Sequence, residues 1–381
     1  MHRADAAHAG EAEVQVGQGD SSGGADGSLD RSNDPLRSGS DQPLSRTRGE
    51  RGVSGRPTIR SVAARAGVSK SLVSLVLQDS PKVSPERRAA VLAAVDELGY
   101  RPDPTARSLA RGRTRAVGLV LDDLRNPWFV DVLEGLRPVL REAGLRPVLA
   151  EARSEPEAPR TFADLRVDGL VVIGTLPDLA LVEEVAASVP TVLAGTRTAG
   201  GAALDVVAGD DDAGVRLVVE HLLGLGHRRI GHVAGSGPVG RLRRAAFEDA
   251  VRAGGGTPVV EAADMTEDAG HRAGRRLLGG AGRPTAVLAA NDASAVGVLA
   301  AAGDLALAVP ADVSVAGYDD TSTARLRAVS LTSVDNAAHE VGRTAGHRLL
   351  ARLADPALPV GVHLVEPRLV TRSTTAAPRA G

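Results

Sequence analysis

The sequence predicts an α/β protein made of a small helical head followed by two α/β lobes. Three observations lead there. From residue 116 onward, short apolar runs alternate with amphipathic stretches of helical period. Residues 58–113 carry a net charge of +5, while residues 1–57 sum to −2 and residues 114–381 to −5. Both lysines of the chain, Lys70 and Lys82, lie in that basic block. A small basic block on an acidic body suggests a nucleic-acid module joined to something else.

Taken in order, residues 1–57 are rich in Gly, Ser, Asp and Arg and show almost no aliphatic pattern. Such a segment buries too little apolar surface to offset its ordering entropy, so a disordered tail is expected. Thr58 is placed to cap a helix over 59–66, Gly67 and Val68 turn the chain, and Ser69 caps a second helix to about Leu77. Ser84-Pro85-Glu86 opens a third helix, which runs to Leu98 and stops at Gly99. Pro102 and Pro104 break the chain before a short helix over 104–110. Strands are expected at 116–121, 146–150, 169–173, 191–193, 229–234, 258–260, 286–290 and 313–317. Helices between most of them imply parallel sheets covered on both faces. Two such lobes account for the length better than one sheet, and ligands of these folds sit at the C-terminal ends of strands.

Composition excludes several functions. The chain has 381 residues and no cysteine, so it holds no disulfide, thiolate metal site or cysteine nucleophile. No uncharged apolar run approaches the ~18 residues of a membrane span. The first residues lack the apolar core of a signal peptide, and a cytoplasmic protein is expected. The nine histidines are scattered without metal-ligand spacing, and no nucleophile–base pair has a convincing context. No catalytic residue, metal or cofactor is therefore assigned.

The segment from Thr58 to Leu77 is a helix-turn-helix candidate. Val62 and Ala66 of its first helix face Val73, Val76 and Leu77 of the second, and Ala63 is small enough for a close crossing. Ser69, Lys70, Ser71 and Ser74 then project from the start of the second helix, where base edges and phosphates would lie. An ordinary αα-hairpin with a basic surface is the bland alternative.

Several ordered motifs resemble the lactose-repressor family of bacterial transcription regulators. In the head they are Val62-Ala63, Ala66-Gly67-Val68-Ser69, Val73-Ser74 and Val76-Leu77. Beyond it they include Val167-Asp168-Gly169, His221 to Ile230, Asn291-Asp292, Pro310 to Asp320 and Leu331 to Asp335. The resemblance covers roughly 58–373. It implies a DNA-binding domain over 58–101, a hinge over 102–113 and a two-lobed periplasmic-binding-protein-like α/β domain over 114–373, leaving 374–381 as a disordered end. It also implies a homodimer on a palindromic double-stranded operator, with Thr58, Ser69, Lys70, Ser71, Ser74 and Leu75 at the DNA. Ala106 and Leu109 would enter the minor groove, Leu109 as a wedge. Leu72 and Leu75 stand where the family usually has Thr and Arg. Leucine lacks the bidentate guanine contact of Arg but can touch a thymine methyl, so the operator should differ there. The stretch between Ala150 and Val167 is shorter than the family pattern, which predicts a trimmed helix in the first lobe.

Four of the six aromatic residues, Trp128, Phe129, Phe247 and Tyr318, fall near expected strand-to-helix junctions. That placement suits a small-molecule cleft with flat apolar walls, with Phe247 also readable as core. Arg243, Asn291 and Asp319 fall where the family places polar effector contacts; Met265, Arg197 and Asn336 are further candidates. An Arg, an amide and a carboxylate suit a sugar or related polyol. The Asp319 carboxylate is expected to face solvent in an open cleft. Two motifs point elsewhere. Gly235 to Gly240 with Glu261 resembles a dinucleotide fingerprint, but Pro238 stiffens the loop and Arg241 and Arg243 crowd it. Asp210-Asp211-Asp212 is read as a solvated helix start rather than a metal site. The reading is a ligand-responsive repressor of sugar-utilisation genes; the alternative is a sugar-binding or dehydrogenase-like α/β protein whose basic head is structural.

Overall fold

The computed structural model describes residues 57–101, 114–175, 178–197 and 204–379. The head holds three helices: α1 (Ile59–Ala66), α2 (Lys70–Leu77) and α3 (Pro85–Glu97). Each start follows from its cap. Thr58 and Ser61 form a reciprocal capping box on α1, the Ser69 side chain accepts from Leu72 N, and Pro85 occupies the first turn of α3. Gly67 closes α1 with φ +65°, a left-handed backbone that glycine adopts without steric cost. Val62, Ala63, Val73, Val76, Val83, Val91 and Ala94 form the core of the head. The expected helix over 104–110, and with it Ala106 and Leu109, lies outside the described residues.

The body is two parallel sheets. The first lobe contains β1 (Ala116–Leu121), α4 (Pro127–Glu142), β2 (Arg146–Glu151), α5 (Ala158–Asp164), β3 (Gly169–Ile173), α6 (Leu179–Ala186), β4 (Thr191–Ala194) and β5 (Asp205–Gly209). The second contains α7 (Asp211–Gly224), β6 (Arg229–Ala234), α8 (Gly237–Ala253), β7 (Thr257–Ala262), α9 (Glu267–Leu278), β8 (Ala286–Ala289), α10 (Asp292–Asp304), β9 (Ser314–Tyr318) and β10 (Thr332–Asp335). The chain then returns to the first lobe for α11 (Ala338–Ala354) and β11 (Val362–Val365), and ends in the second with β12 (Arg368–Val370). Strand order is β11-β5-β4-β3-β1-β2 in one sheet and β12-β10-β9-β8-β6-β7 in the other; among the described residues only β12 runs antiparallel to its neighbour. Apolar clusters cover both faces of each sheet, as the near-continuous apolar strands require.

Helix α5, in the stretch where the sequence reading expects a trimmed helix, spans seven residues between β2 and β3. Two findings depart from that reading. Strands β5, β10, β11 and β12 were not among those expected. The end of the chain is not a loose tail over its described part: Thr374 is buried, and its carbonyl accepts from Val315 N. Ala376 N donates to Ser314 Oγ at 3.0 Å, and the Ala376 carbonyl lies 2.9 Å from His227 Nε2. The resemblance ends near 373 and leaves this segment as a disordered end, whereas side-chain and backbone hydrogen bonds dock it over its described part.

Candidate nucleic-acid interface and effector cavity

The head presents one polar face. Val73 and Val76 turn α2 inward, so Lys70, Ser71, Leu75 and Gln78 point outward, with Leu75 38% exposed. At helical spacing Ser71, Ser74 or Leu75, and Gln78 follow one another along that face. Ser74 is half-buried and its Oγ accepts from Gln78 Nε2 at 3.3 Å. Thr58 and Ser69 serve first as caps, their side-chain oxygens taken up by Ser61 N and Leu72 N.

A cavity of about 340 Å³ opens where both sheets end. Its wall residues follow the C-terminal ends of strands from each lobe: Asp122 after β1, Arg153 after β2, Gly174 after β3 and Gly195 after β4. From the second lobe come Ser236 after β6, Asp264 and Met265 after β7, and Asp319 after β9. Trp128 and Phe129, in the first turn of α4, form the apolar wall, with ring centroids 5.2 Å apart and edge to face. Asn126 fixes that turn by accepting from Trp128 N. The two rings fit because Gly174 and Gly195 carry no side chain. Both have positive φ, +87° and +81°, and an added Cβ would strike Phe129 and Trp128 respectively.

Arg243 forms the polar floor. It is buried and donates through Nε to Asp211 at 2.8 Å, through Nη1 to the Ala290 carbonyl at 2.7 Å and through Nη2 to Asp319 at 3.3 Å. Its guanidinium carbon also sits 3.7 Å from the centre of the Tyr318 ring. Burial lowers the Arg243 pKa, but Asp211 and Asp319 outweigh it and raise the value above the ordinary one. Asn336 Nδ2 donates to the same Asp319 oxygen at 2.9 Å, and Trp128 Nε1 donates to Asn336 Oδ1 at 2.9 Å. One connected chain therefore runs from the first lobe through Trp128, Asn336, Asp319 and Arg243 to Asp211. Burial pushes the Asp319 carboxyl up to about 8, with Arg243 pulling against it and Asp292 and Asp211 adding to the rise. Asp319 also holds φ +101°, an unusual backbone for a non-glycine residue and a local strain at the cavity floor.

Trp128, Phe129, Arg243, Met265 and Asp319 thus meet at one cavity, while Asn291 stands behind it. Asn291 Oδ1 caps α10 through Ser294 N, and its Nδ2 donates to the Met265 carbonyl at 3.2 Å. Asp319 does not face solvent as expected: it is 6% exposed and paired. Asp211 is likewise buried against Arg243 rather than solvated. Asp210 caps α7, and Asp212 pairs with Arg197 at 2.6 Å. Phe247 is core, stacked on His232. Glu261 is engaged by Arg276. The sequence reading missed Asp122, Asp123, Arg153 and Asp264 in the cavity wall. Their position just past β1, β2 and β7 was the available signal.

Residues 58–103 match the profile of the bacterial regulatory proteins, lacI family, and residues 219–375 that of a periplasmic binding protein-like domain. The HTH-type transcriptional repressor PurR of Proteus mirabilis (strain HI4320) is 33% identical over 334 residues, covering 84% of this chain and 97% of that protein. The chain belongs to the lacI family. Among solved structures, the lac repressor dimer bound to operator and the anti-inducer ONPF is similar with a TM-score of 0.75. It is 29% identical and covers 85% of this chain and 100% of that one. A complex of the transcriptional regulator CelR with cellobiose is 32% identical with a TM-score of 0.64, covering 84% of this chain and 100% of that one. This lacI-family chain is a ligand-responsive, DNA-binding transcription repressor, in a family of regulators rather than enzymes. Among the described residues, no helix is long and apolar enough to cross a membrane, and no group of His, Asp and Glu is placed to hold a metal ion.

Proposed function

We propose that the protein is a cytoplasmic, homodimeric repressor that reads a palindromic operator through α2 and responds to a sugar or related polyol in the interlobe cavity. A two-fold dimer presents two copies of α2, so the operator has dyad symmetry. Lys70 and Ser71 contact base edges, Leu75 a thymine methyl, and Ser69, Ser74 and Thr58 the phosphates flanking them. Ala106 and Leu109 follow in the hinge, with Leu109 as the minor-groove wedge. In the cavity, Trp128 and Phe129 stack on the apolar face of the ligand with Met265 beside them, while Arg243 and Asp319 line its polar edge and Asn291 steadies the Met265 backbone.

The observation that carries this reading is the cavity itself, with its paired aromatic rings and buried Arg243–Asp319 pair at strand ends of both lobes. The test is selection of duplex DNA from a random library by the full chain, followed by titration at rising salt. A dyad-symmetric consensus whose affinity falls steeply with salt is expected, because phosphate contacts release counterions. A consensus without symmetry, or a flat salt profile, refutes the proposal.

A further inference from the structure

The charges around the cavity are unbalanced. Four carboxyls line it, Asp122, Asp123, Asp264 and Asp319, against two arginines, Arg153 and Arg243, and burial keeps the Asp319 carboxyl protonated up to about pH 8. Arg243 gives little attraction to an incoming anion, because Asp211 pairs with its guanidinium at 2.8 Å and its other nitrogens are spent on the Ala290 carbonyl and Asp319. Arg153 is shared between Asp122 and Asp123, 3.6 Å from each, and its side chain is 54% exposed. Asp123 is further engaged by Arg125 at 2.8 Å. Asp264 has no side-chain hydrogen bond or ion pair among the described residues, and the second oxygen of Asp319 accepts none there either. Carboxylates therefore stand on both sides of the cavity: Asp122, which shares Arg153, follows β1 of the first lobe, and the unpaired Asp264, exposed at the rim, follows β7 of the second.

From this arrangement we infer that the effector is an amine-bearing polyol of about monosaccharide size, such as an amino sugar, and that the cavity rejects phosphorylated sugars. The inference rests on the interlobe cavity being the effector site. A volume of about 340 Å³ lies at the small end of small-molecule sites. An ammonium group supplies three donors and a positive charge to Asp122 and Asp264, and hydroxyls supply donors to Asp319. A phosphate brings two negative charges toward the aspartates and finds only the shared, half-exposed Arg153 for compensation. The same geometry gives the amine a regulatory use. Asp122 and Asp264 belong to opposite lobes, so a cation that contacts both favours approach of the lobes. A ligand with such a differential preference shifts the lobe equilibrium.

The experiment is isothermal titration calorimetry on the full chain with three matched sets: glucose, glucosamine and glucose 6-phosphate, and the corresponding galactose and mannose sets. In at least one set the amine is expected to bind about ten-fold tighter than its neutral parent, the worth of one charge-assisted hydrogen bond, and the phosphate more weakly than either. Asp264→Asn, checked for folding by circular dichroism, should reduce the advantage of the amine over its parent at least several-fold. A phosphate that binds as tightly as its parent overturns the inference. So does an amine with no advantage in every set, a panel that does not bind at all, or an Asp264→Asn protein with an unaltered amine-to-parent ratio. Operator selection on the same preparation separates the two readings: intact operator binding with a failed sugar panel removes only this inference, whereas lost operator binding removes the repressor reading.

Discussion

Replacing Asp319 by asparagine tests the electrostatics of the cavity floor. The carboxyl is 6% exposed and rests on Arg243 and Asn336, and burial raises its pKa to about 8. In the unfolded chain the same group titrates near the ordinary ~3.9. The native state therefore keeps a proton that the unfolded state has lost throughout that interval. Stability from this group is fully present below the unfolded value, declines as pH rises toward 8, and levels off above it. The slope in the middle of the interval is up to ~1.4 kcal/mol per pH unit, so the group costs roughly 2 kcal/mol between pH 6 and pH 8. Asparagine has nearly the same shape and no charge to bury, and Arg243 stays paired with Asp211 in its presence. The Asp319→Asn protein should therefore gain about 2 kcal/mol on the parent between pH 6 and pH 8. Asp292, raised to about 6 by burial, and His232, lowered to about 4 by burial, titrate at or below the window and are common to both proteins. Trp128 is the only tryptophan and its Nε1 is two hydrogen bonds from Asp319, so urea unfolding can be followed by its fluorescence at several pH values. Parallel stability curves for the two proteins between pH 6 and 8 would refute the reasoning, because they would mean that Arg243 keeps the carboxylate ionised across the range.

Three further outcomes are expected. Lys70→Ala should cost ~1–3 kcal/mol at one base pair per half-site and change the selected consensus, while Ser74→Ala weakens all sequences alike; an unchanged consensus for Lys70→Ala removes it from base reading. Gly195→Ala should destabilise the protein by about 2–4 kcal/mol, since it combines positive φ with a Cβ inside the Trp128 ring; chemical denaturation and the Trp128 emission maximum report it. Asn336→Leu leaves Trp128 Nε1 without its acceptor and takes a donor from Asp319, so a loss of ~1–3 kcal/mol is expected, read by the same denaturation assay.

The sequence was most legible where local pattern and burial agree. Strands β1, β3 and β6 are apolar runs between caps and turns, and all three appear as read. Strand β10 carries Thr332, Ser333 and Asp335, and its polar atoms are answered from elsewhere: Thr374 Oγ1 accepts from Thr332 N, and Asp292 accepts from Ser333 Oγ. No window along the sequence reveals such partners. Strands β11 and β12 are four and three residues long at sheet edges, too short for a period to show. The site divides in the same way. Trp128 and Phe129 stood out because aromatics are scarce in this chain. Asp211 and Asp319 were read as solvated because their partner, Arg243, is 32 and 76 positions distant, and only the closed fold brings the three together. Asn291 looked like a ligand contact but spends its oxygen on the start of α10, a local use that its place before Asp292 and Ser294 already allowed.

The buried chain from Trp128 to Asp211 also bears on how a ligand could be felt outside the cavity. Asp211 lies at the first passage of the backbone from one lobe to the other, at the start of α7 after β5, and Asn336 at the second, between β10 and α11. Arg243 belongs to the second lobe and Trp128 to the first. A ligand that touches Trp128 and Asp319 therefore acts on a hydrogen-bonded unit tied to two of the three passages. Because every polar member of that unit is buried, a change in lobe angle must either preserve its bonds or leave a buried donor or acceptor unpaired, at ~1–3 kcal/mol for each. That is the scale of a typical allosteric coupling energy, ~1–3 kcal/mol. Making or breaking one or two bonds of this chain is thus enough, in magnitude, to let occupancy of the cavity choose between two lobe arrangements, and the size of the ligand's effect is bounded by its differential contact with this chain rather than by its total affinity.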